Sequence, residues 1–378
     1  MIVYILTFAL SLLGVQMADL WYDDRRRFIA GSLLAVLPPI LIAGLRDSTV
    51  GSDTDLYVIP IFNGIASNGQ NLIEFLDSYP GMEWGYLFVN YVIAQITDEP
   101  FVLLLCIHIL IIIPMFVTAM KWRDYLPPVL FMFVFYMIFF QETLSIARQS
   151  IAISLSMYAI TLLWEKKYVY YGVYMIIAFL FHQTAVVALT FPMIYFFVDR
   201  FSIRQYYMIF IGAALVIALF FLNLDNILIW MIENGYLDLK FLKYTSADDV
   251  FTPALGATNL VVKVVTIAYI IYIMVSFKSD TLLKFFLVTA ILDMLFSLCA
   301  LILQPLDRIS LYYRIMTCIS LPYLIYHYPV ISTDEDTPYT RPVEVLMGLM
   351  LFVYWFYVYM LGDYDDTASY QLSSTLFI

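Results

Sequence analysis

Long apolar stretches, separated by short polar turns, repeat along the whole chain. Twelve of them run for 14 to 23 residues: Ile2–Ala18, Phe28–Leu45, Phe101–Met120, Leu126–Phe140, Leu144–Trp164, Tyr168–Phe181, Gln183–Val198, Tyr206–Leu222, Asn259–Phe277, Thr281–Leu303, Arg308–Tyr326 and Val343–Leu361. A helix needs about 20 apolar residues to cross a bilayer, whereas the strands of an outer-membrane barrel alternate over about ten. The pattern predicts an all-α polytopic integral membrane protein with about 12 transmembrane helices.

A further apolar run, Gly85–Ile96, is too short to cross. As a helix it would rise about 18 Å, against a hydrocarbon core of about 30 Å. We therefore expect a short half-inserted helix there. With that choice, and with Arg25–Arg27 in the cytoplasm, twelve of the nineteen Lys and Arg residues fall on the cytoplasmic side, as the positive-inside rule requires. A full crossing would move every later loop to the opposite side.

The resulting map is a single transmembrane domain, residues 1–378, with both termini outside. Its two long polar segments, residues 46–100 and 223–258, lie on the external face. Long segments on a helical scaffold often carry function, so we expect an active site that faces the periplasm or the exterior. The tail, residues 362–378, is polar and then apolar, and its pattern assigns it no role.

Composition and charge agree with this class and exclude others. The chain is 63% hydrophobic and 13% charged, whereas soluble domains carry about 25% charged residues. The net charge of −11 argues against nucleic acid as a partner, because such a partner favours a basic excess. The cysteines, Cys106, Cys299 and Cys318, lie inside apolar runs and are odd in number, which implies no disulfide framework.

Three arginines stand at the external ends of predicted spans: Arg46, Arg148 and Arg308. An uncompensated arginine at such a depth costs a few kcal/mol, so each should have a partner or a ligand. Converging guanidinium groups would bind a phosphate or pyrophosphate through paired charged hydrogen bonds. The alternative is that each arginine snorkels or pairs with a local acid, namely Asp47, Glu142 or Asp307.

Polar residues around Arg148 predict a stripe on one helix. Positions Gln141, Glu142, Ser145, Arg148, Gln149 and Ala152 follow the spacing of three and four residues that defines a helix face. We expect this face to enter the membrane from outside and to support the arginine.

His182 lies between two apolar runs with no loop around it. The fourteen residues Tyr168–Phe181 rise only about 21 Å from the cytoplasmic side, so the hairpin tip should be recessed below the outer surface. An imidazole there could act as a general base near neutral pH. A hydrogen-bonded structural histidine is the alternative.

Two further acidic features stand out. Asp53 and Asp55 form a D-x-D sequence, which can hold a divalent ion but more often is solvated; we expect a general base or a partner of the acceptor hydroxyl, and no metal. Asp293 lies midway along a predicted span, and it is expected to form a structural ion pair with Lys263 or Arg314.

Several sequence elements occur together in an order that resembles a known family. They are GLR-x4-G-x-D-x3-Y (Gly44, Leu45, Arg46, Gly51, Asp53, Tyr57), ARQ-x2-A (Ala147–Gln149, Ala152), a Lys-Lys turn, an apolar helix that ends in His182, and R-x3-YY (Arg308, Tyr312, Tyr313). Together, from about Phe28 to Tyr326, they resemble the EpsG branch of Wzy-type polysaccharide polymerases.

The resemblance implies a multi-pass enzyme of the bacterial inner (plasma) membrane with a GT-C-like helical fold. Such glycosyltransferases join repeat units of O-antigen or exopolysaccharide on the outer leaflet. Their donor and acceptor are both undecaprenyl-pyrophosphate-linked glycans, so the partners implied are these glycans and the lipid bilayer, with a chain-length regulator left open. No cofactor, nucleotide or metal is implied.

Site roles follow from the resemblance and the chemistry together. Arg46, Arg148 and Arg308 are expected to bind pyrophosphate. His182 is the first choice for the base that activates the acceptor hydroxyl, and Asp53 or Asp55 is the second. The supporting polar residues are Glu142, Gln149, Tyr57, Arg314 and Tyr312.

Other functions remain as alternatives. An O-antigen ligase would use the same donor with a different acceptor. A lipid-linked oligosaccharide flippase would need cationic sites reachable from both leaflets, whereas the candidate arginines gather on one side. An acyltransferase would need a histidine paired with an acid, and His327 is too isolated in its predicted loop.

Overall fold

The computed structural model describes residues 1–68, 71–200, 205, 208, 230, 234, 253–277, 280–300, 306–328 and 342–373. Within these residues the regular elements are helices, and a single isolated bridge joins Arg46 to Leu372. Most of the predicted span 206–222 and of the external segment 223–258 lies outside the described residues. The chain divides into two compact units: Met1–Thr190 with Ile315–Ile378, and Phe191–Arg314.

The first unit contains most of the described helices. They are α1 (Ile2–Leu20), α2 (Arg25–Gly44), α3 (Ile59–Asn68), α4 (Leu72–Ser78), α5 (Trp84–Ala94), α6 (Pro100–Lys121), α7 (Pro128–Ile138), α8 (Phe140–Ser145), α9 (Ala147–Trp164) and α10 (Tyr168–Phe181). The helix α11 (Thr190–Phe197) crosses the boundary into the second unit, which holds α12 (Pro253–Ser276), α13 (Thr281–Ala300) and α14 (Asp307–Arg314). The chain then returns to the first unit with α15 (Thr317–His327) and α16 (Pro342–Trp355).

Four helices, α1, α2, α6 and α13, are long and apolar enough to cross a membrane. The shorter apolar helices cover Trp84–Ala94, Pro128–Ile138, Tyr168–Phe181, Gln183–Phe197, Leu260–Ser276 and Val345–Leu361. An all-helical multi-pass membrane protein is therefore what the structure describes. The count of about twelve spans and the GT-C-like topology stay predictions. The helix predicted to be half-inserted is α5, which has 11 residues.

Local sequence explains where several helices begin and how closely they pack. The carboxylate of Asp24 accepts hydrogen bonds from the first backbone N–H groups of α2, as an N-cap residue does. Pro128 begins α7, because proline needs no hydrogen-bond partner in the first turn. A Cβ at Gly31 would lie 2.5 Å from the backbone nitrogen of Ala18. Small residues thus let α1 and α2 approach closely.

The two ends of the first unit differ in character. At one end, Lys121 pairs with Glu165 at 2.6 Å, and Arg123 pairs with Asp19 at 3.0 Å. We call this the Lys121 end. At the other, the Arg46 end, the hydroxyl of Tyr4 near the start of α1 donates to a carbonyl of the C-terminal tail. The start of α1 and the described part of the C-terminal tail thus share the end that holds Arg46, in the relative arrangement that the charge pattern predicted.

The predicted polar stripe on one continuous helix is wrong. The chain leaves the helical conformation at Ile146 (φ −80°, ψ 58°), between α8 and α9. Gln141 and Glu142 therefore belong to a different helix from Arg148 and Gln149. The predicted span Leu144–Trp164 is accordingly reduced to the 18 residues of α9.

A second predicted span, Arg308–Tyr326, is also interrupted. The helix α14 ends at Arg314 and α15 begins at Thr317. Residues Gln183–Val198 are likewise not one α-helix, because a 3-10 helix, Gln183–Leu189, precedes α11. Residues 46–100, which were predicted to be external, are largely helical in their described part, with α3, α4 and α5 following a π-helical turn at Thr54–Val58.

Candidate functional site

Arg46 lies buried in the loop after α2, with 1% of its surface exposed. Its guanidinium donates to the carbonyls of Val50 at 3.0 Å, Leu144 at 2.8 Å and Ala43, and to the hydroxyl of Thr54 at 3.3 Å. Burial lowers the pKa of Arg46 to about 10, so the group is charged at neutral pH. The local partners of Arg46 are thus backbone carbonyls and a hydroxyl rather than Asp47. Its predicted role in pyrophosphate binding stays a prediction.

The break at Ile146 explains why Arg46 reaches across to Leu144. A carbonyl at a helix end has no partner within the helix. The carbonyl of Leu144 accepts a hydrogen bond from Arg46 instead. Gly51 permits this approach, because its φ is +94° and a Cβ there would overlap the Leu144 oxygen. The π-helical turn that carries Tyr57 begins three residues later, so this contact fixes where the turn starts.

The C-terminal tail closes over the same loop. The backbone N–H of Asp47 donates to Gln371 at 2.8 Å, and the N–H of Ser373 donates to Leu45 at 2.9 Å. The N–H of Gly51 donates further to the carbonyl of a tail aspartate at 3.2 Å. The tail, which the sequence pattern did not assign, is therefore a strap across the Arg46 loop.

Arg148 has a different setting from Arg46. Its Nη1 lies 2.5 Å from Oε2 of Glu83, and the two side chains are 15% and 8% exposed. The ring centroid of Tyr57 lies 4.8 Å from its guanidinium carbon, and that of Tyr86 lies 5.9 Å away. These residues, with the neighbouring Asp53, are called the Arg148 cluster. The partner of Arg148 is thus Glu83, 65 residues earlier.

Tyr57 links the acidic and basic sides of the cluster. Its ring meets that of Tyr86 edge-on at 6.4 Å. Burial and, to a smaller extent, the Asp53 carboxylate raise the pKa of Tyr57 to about 12, against the opposing effect of the Arg148 guanidinium. The phenol is therefore protonated at neutral pH and can donate a hydrogen bond to a ligand oxygen.

Glu83 also connects the cluster to the tip of the α10 hairpin. Its Oε1 accepts from the backbone N–H of Gln183 at 3.2 Å. A Cβ at Gly85 would lie 2.7 Å from the carbonyl oxygen of Leu180, so the start of α5 lies directly against the end of α10. Glu83 was not among the residues predicted from the sequence. The signal available was a carboxylate immediately before a short helix whose second residue is glycine.

His182 precedes Gln183 at this tip and is 8% exposed. Its Nδ1 lies 2.6 Å from the hydroxyl of Thr184 and 3.3 Å from the backbone nitrogen of Thr184. An Nδ1 that accepts from that N–H leaves the proton of the neutral ring on Nε2. Catalysis through Nε2 therefore requires the other tautomer, in which Nδ1 donates to the Thr184 hydroxyl. The role of general base stays a prediction.

The two aspartates of the D-x-D sequence do not share one site. Asp53 is half-buried at the start of the π-helical turn, beside Tyr57, whereas Asp55 is exposed. Residues two positions apart on a helical turn do not face each other. Among the described residues, no group of three or more His, Cys, Asp or Glu side chains could hold a metal ion.

Glu142 and Gln149 are buried, at 4% and 2% exposure. The carboxylate of Glu142 accepts from the hydroxyl of Tyr359 at 3.1 Å. Tyr359 lies in a π-helical turn, Phe356–Leu361, that continues α16. Glu142 thus contacts the C-terminal part of the first unit, and Arg148 has another partner.

The remaining candidates lie in the second unit. Arg308 is exposed in the first turn of α14, whereas Tyr312 and Arg314 are buried. Lys263 pairs with Asp293 at 2.6 Å, as predicted. Arg314 lies 2.7 Å from Asp307, and its Nε is 3.9 Å from Asp293. Two cations thus balance two carboxylates within this unit, as an internal ion-pair network requires.

Of three comparisons with known proteins, one gives a match. A family model described as the EpsG family matches residues 31–372. No curated protein and no solved structure matches the chain. The matched range includes the Arg148 cluster, the α10 hairpin and the tail strap as far as Leu372.

Proposed function

The chain belongs to the EpsG family, a family of Wzy-like polymerases, and we propose that it polymerises undecaprenyl-pyrophosphate-linked glycan repeat units. The proposed product is an O-antigen or exopolysaccharide, made on the outer leaflet of the bacterial inner membrane by a GT-C-like glycosyltransferase. The observation that carries the proposal is the Arg148 cluster. A half-buried arginine, flanked by aromatic rings, suits a ligand with one anionic end and one sugar end.

Arg148 is the proposed pyrophosphate ligand. In the reaction, the bond between the anomeric carbon of the donor glycan and the pyrophosphate oxygen breaks. Negative charge grows on the leaving undecaprenyl pyrophosphate, and a preorganised guanidinium stabilises that charge. Tyr57 can donate a further hydrogen bond, and its ring, which is partly exposed, can pack against a sugar face.

The acceptor hydroxyl forms the new bond to the anomeric carbon and gives up its proton to a base. His182 is the first choice, because its neighbour Gln183 donates to Glu83 at the cluster. Asp53 is the second choice, because it lies beside Tyr57. Asp55 ranks after Asp53 since it is exposed.

The other predicted residues have different roles in the proposed reaction. Arg46 holds the loop that carries Asp53 and Tyr57. To bind pyrophosphate as predicted, its guanidinium would first have to break one of its hydrogen bonds to a backbone carbonyl. Arg308 is exposed and is proposed to bind the anionic end of a lipid-linked glycan. The supporting residues Glu142, Gln149, Tyr312 and Arg314 remain proposed as buried polar groups that hold the helices in place.

A complementation gel tests the function. A polymerase-null host with a matching repeat unit receives wild type, Arg148→Ala, Arg308→Ala or His182→Ala, and membrane levels are checked by immunoblot. Lys121→Ala, at the opposite end of the first unit, is the matched control. Wild type and Lys121→Ala should restore a ladder of long glycans, and Arg148→Ala should leave single repeat units. Loss of one oxyanion contact typically costs about 10²-fold or more in rate.

The same gel separates the alternatives. A null host that still displays single repeat units retains transport and ligation, so the missing step is polymerisation. Loss of all surface glycan in the null host would favour a flippase or ligase and contradict the proposal. Normal ladders from every arginine and histidine variant would show that these residues do not form the active site.

A further inference from the structure

Glu83 places its two carboxylate oxygens on two different elements. Oε2 pairs with Arg148 of α9, and Oε1 accepts from the N–H of Gln183, the first residue after His182. The side chain is 8% exposed. A buried carboxylate with both oxygens engaged holds its partners in a fixed arrangement, because leaving either one would cost a charged hydrogen bond.

The ion pair occupies only one corner of the guanidinium. Nη1 donates to Glu83, while Nε is buried and has no hydrogen-bond partner among the described residues. A buried donor without a partner is unusual and calls for a ligand or another physical reason. The edge formed by Nε and Nη2 is a fork that matches two oxygens of a phosphate group.

Helix packing around Glu83 fixes the position of its backbone. Glu83 is the residue immediately before α5, and Gly85 in the first turn of that helix lies against Leu180 at the end of α10. The contact permits no side chain at position 85 without movement of the α10 backbone. The carboxylate is therefore delivered to Arg148 and Gln183 by packing of two helices rather than by a flexible loop.

We propose that Glu83 is a positioning residue that turns the Nε–Nη2 edge of Arg148 toward the diphosphate group of the lipid-linked substrate and ties the His182 hairpin to the same point. This inference rests on the proposed function, since the diphosphate is the group that the donor glycan carries. Glu83 acts through Arg148 and does not itself touch the reacting atoms.

Whether Glu83→Gln strengthens or weakens anion binding distinguishes a residue that positions Arg148 from one that only balances its charge. Removal of a negative charge next to an anion site strengthens anion binding by Coulomb's law if geometry is unchanged. Loss of the contact that orients Arg148 weakens binding instead. Glu83→Gln keeps the size of the side chain and removes its charge, so weaker binding of an anion by this variant identifies a positioning role.

The experiment measures binding of inorganic pyrophosphate to the purified full-length protein in lipid nanodiscs by titration calorimetry. The variants are Glu83→Gln, Glu83→Asp, Arg148→Lys and the double variant Glu83→Gln/Arg148→Lys. Glu74→Gln is the matched control, because Glu74 is an exposed carboxylate of the same external segment that caps α4. Thermal unfolding of each variant confirms that it is folded.

We expect Glu83→Gln to weaken binding at least about 10-fold, the loss from one misdirected charged hydrogen bond. Glu83→Asp should recover part of the affinity, Glu74→Gln should bind as wild type, and the double variant should lose less than the two single losses combined. Equal or tighter binding by Glu83→Gln overturns the inference, as does absence of binding by wild type. If wild type binds pyrophosphate but restores no ladder, the proposed function fails while the role of Glu83 at an anion site stands.

Discussion

Arg46 is buried and Arg148 is half-buried, and their partners give them different roles. The donors of Arg46 go to carbonyl and hydroxyl oxygens of the chain itself, which stabilises the loop after α2. Arg148 has a carboxylate at one corner, an aromatic ring at 4.8 Å and a buried Nε without a partner among the described residues. Arg148 is therefore the better candidate for an anionic ligand.

A pair of substitutions at Arg46 tests this distinction. Arg46→Ala removes the charged donor of the Val50 and Leu144 carbonyls and leaves them only the single hydroxyl proton of Thr54. One buried carbonyl is then unpaired, at a cost of about 1–3 kcal/mol. Arg46→Lys cannot restore both, because an ammonium lacks the fork of a guanidinium. Both variants should lower the midpoint of thermal unfolding of the purified protein. An unchanged midpoint with lost pyrophosphate binding would instead support Arg46 as a ligand of the substrate.

Residue spacing predicted Arg148 and His182 as site candidates because a charged or titratable group at a membrane edge stands out against an apolar chain. It did not predict Glu83, since the ion pair joins residues 65 positions apart and no periodicity connects them. Asp293 differs because it lies within an apolar run, where any carboxylate demands a cation. Its pairing with Lys263 was therefore predictable.

Two elements, the short helix α5 and the C-terminal tail, hold the parts of the cluster in place. The helix α5 brings Glu83 to the end of α10, and the tail covers the loop that leads to Tyr57. Neither element is a long span. The parts of the first unit that position the cluster are thus too short to be recognised as membrane spans.

Glycine substitutions test the α5 contact. Gly85→Ala introduces a Cβ 2.7 Å from the Leu180 carbonyl, and such overpacking costs about 1–3 kcal/mol. Gly172→Ala in α10 is the matched control, because a Cβ there meets no atom within 4 Å and alanine favours the helix. Gly85→Ala should shorten the ladder and lower thermal stability, whereas Gly172→Ala should do neither. Equal effects would show that the contact does not matter.

Truncations test the tail strap. A chain that stops after Leu361 loses the hydrogen bonds from Asp47, Gly51 and Ser373, each worth about 0.5–1.5 kcal/mol. A chain that stops after Ser373 keeps them and serves as the control. The shorter chain should still insert in the membrane but should be cleaved by an added protease within residues 46–58 and should make no ladder. Resistance to protease by both chains would contradict the strap.

Helix boundaries followed the apolar pattern where the helix is uninterrupted, as in α10, whose observed limits are those predicted. The pattern failed at Ile146, where the sequence contains neither glycine nor proline. The break there is stabilised from a distance, because Arg46 donates to the carbonyl of Leu144 and Gly51 makes room for it. Non-local contacts of this kind leave no local signal.

At the scale of the whole molecule, the family match and the apolar helices agree on a membrane polysaccharide polymerase. The start of α1 and the described part of the C-terminal tail lie at the Arg46 end of the first unit, opposite the ion pairs of Lys121 and Arg123. The charge pattern predicted this relative arrangement because basic residues favour the cytoplasmic side. The same topology map predicts that the Arg46 end of the first unit faces outward and that α5 does not cross the membrane.

Cysteine labelling tests that map. In a background without Cys106, Cys299 and Cys318, cysteines at Ser78 and Asp98 flank α5. If α5 does not cross, a membrane-impermeant thiol reagent added to intact spheroplasts should label both positions. Labelling of one position alone would show that α5 crosses and would reverse the predicted side of every later loop. A cysteine at Lys166, at the opposite end of the first unit, should be labelled only after the membrane is opened.

The most direct measurement is a reconstituted reaction with purified protein and a single undecaprenyl-pyrophosphate-linked repeat unit. It counts the glycan linkages formed and the undecaprenyl pyrophosphate released, for wild type and Arg148→Ala. We predict one undecaprenyl pyrophosphate released for each linkage, and a loss of about 10²-fold or more in rate for Arg148→Ala. Linkage formation at the wild-type rate by Arg148→Ala, or no linkage formed by wild type, would contradict the account.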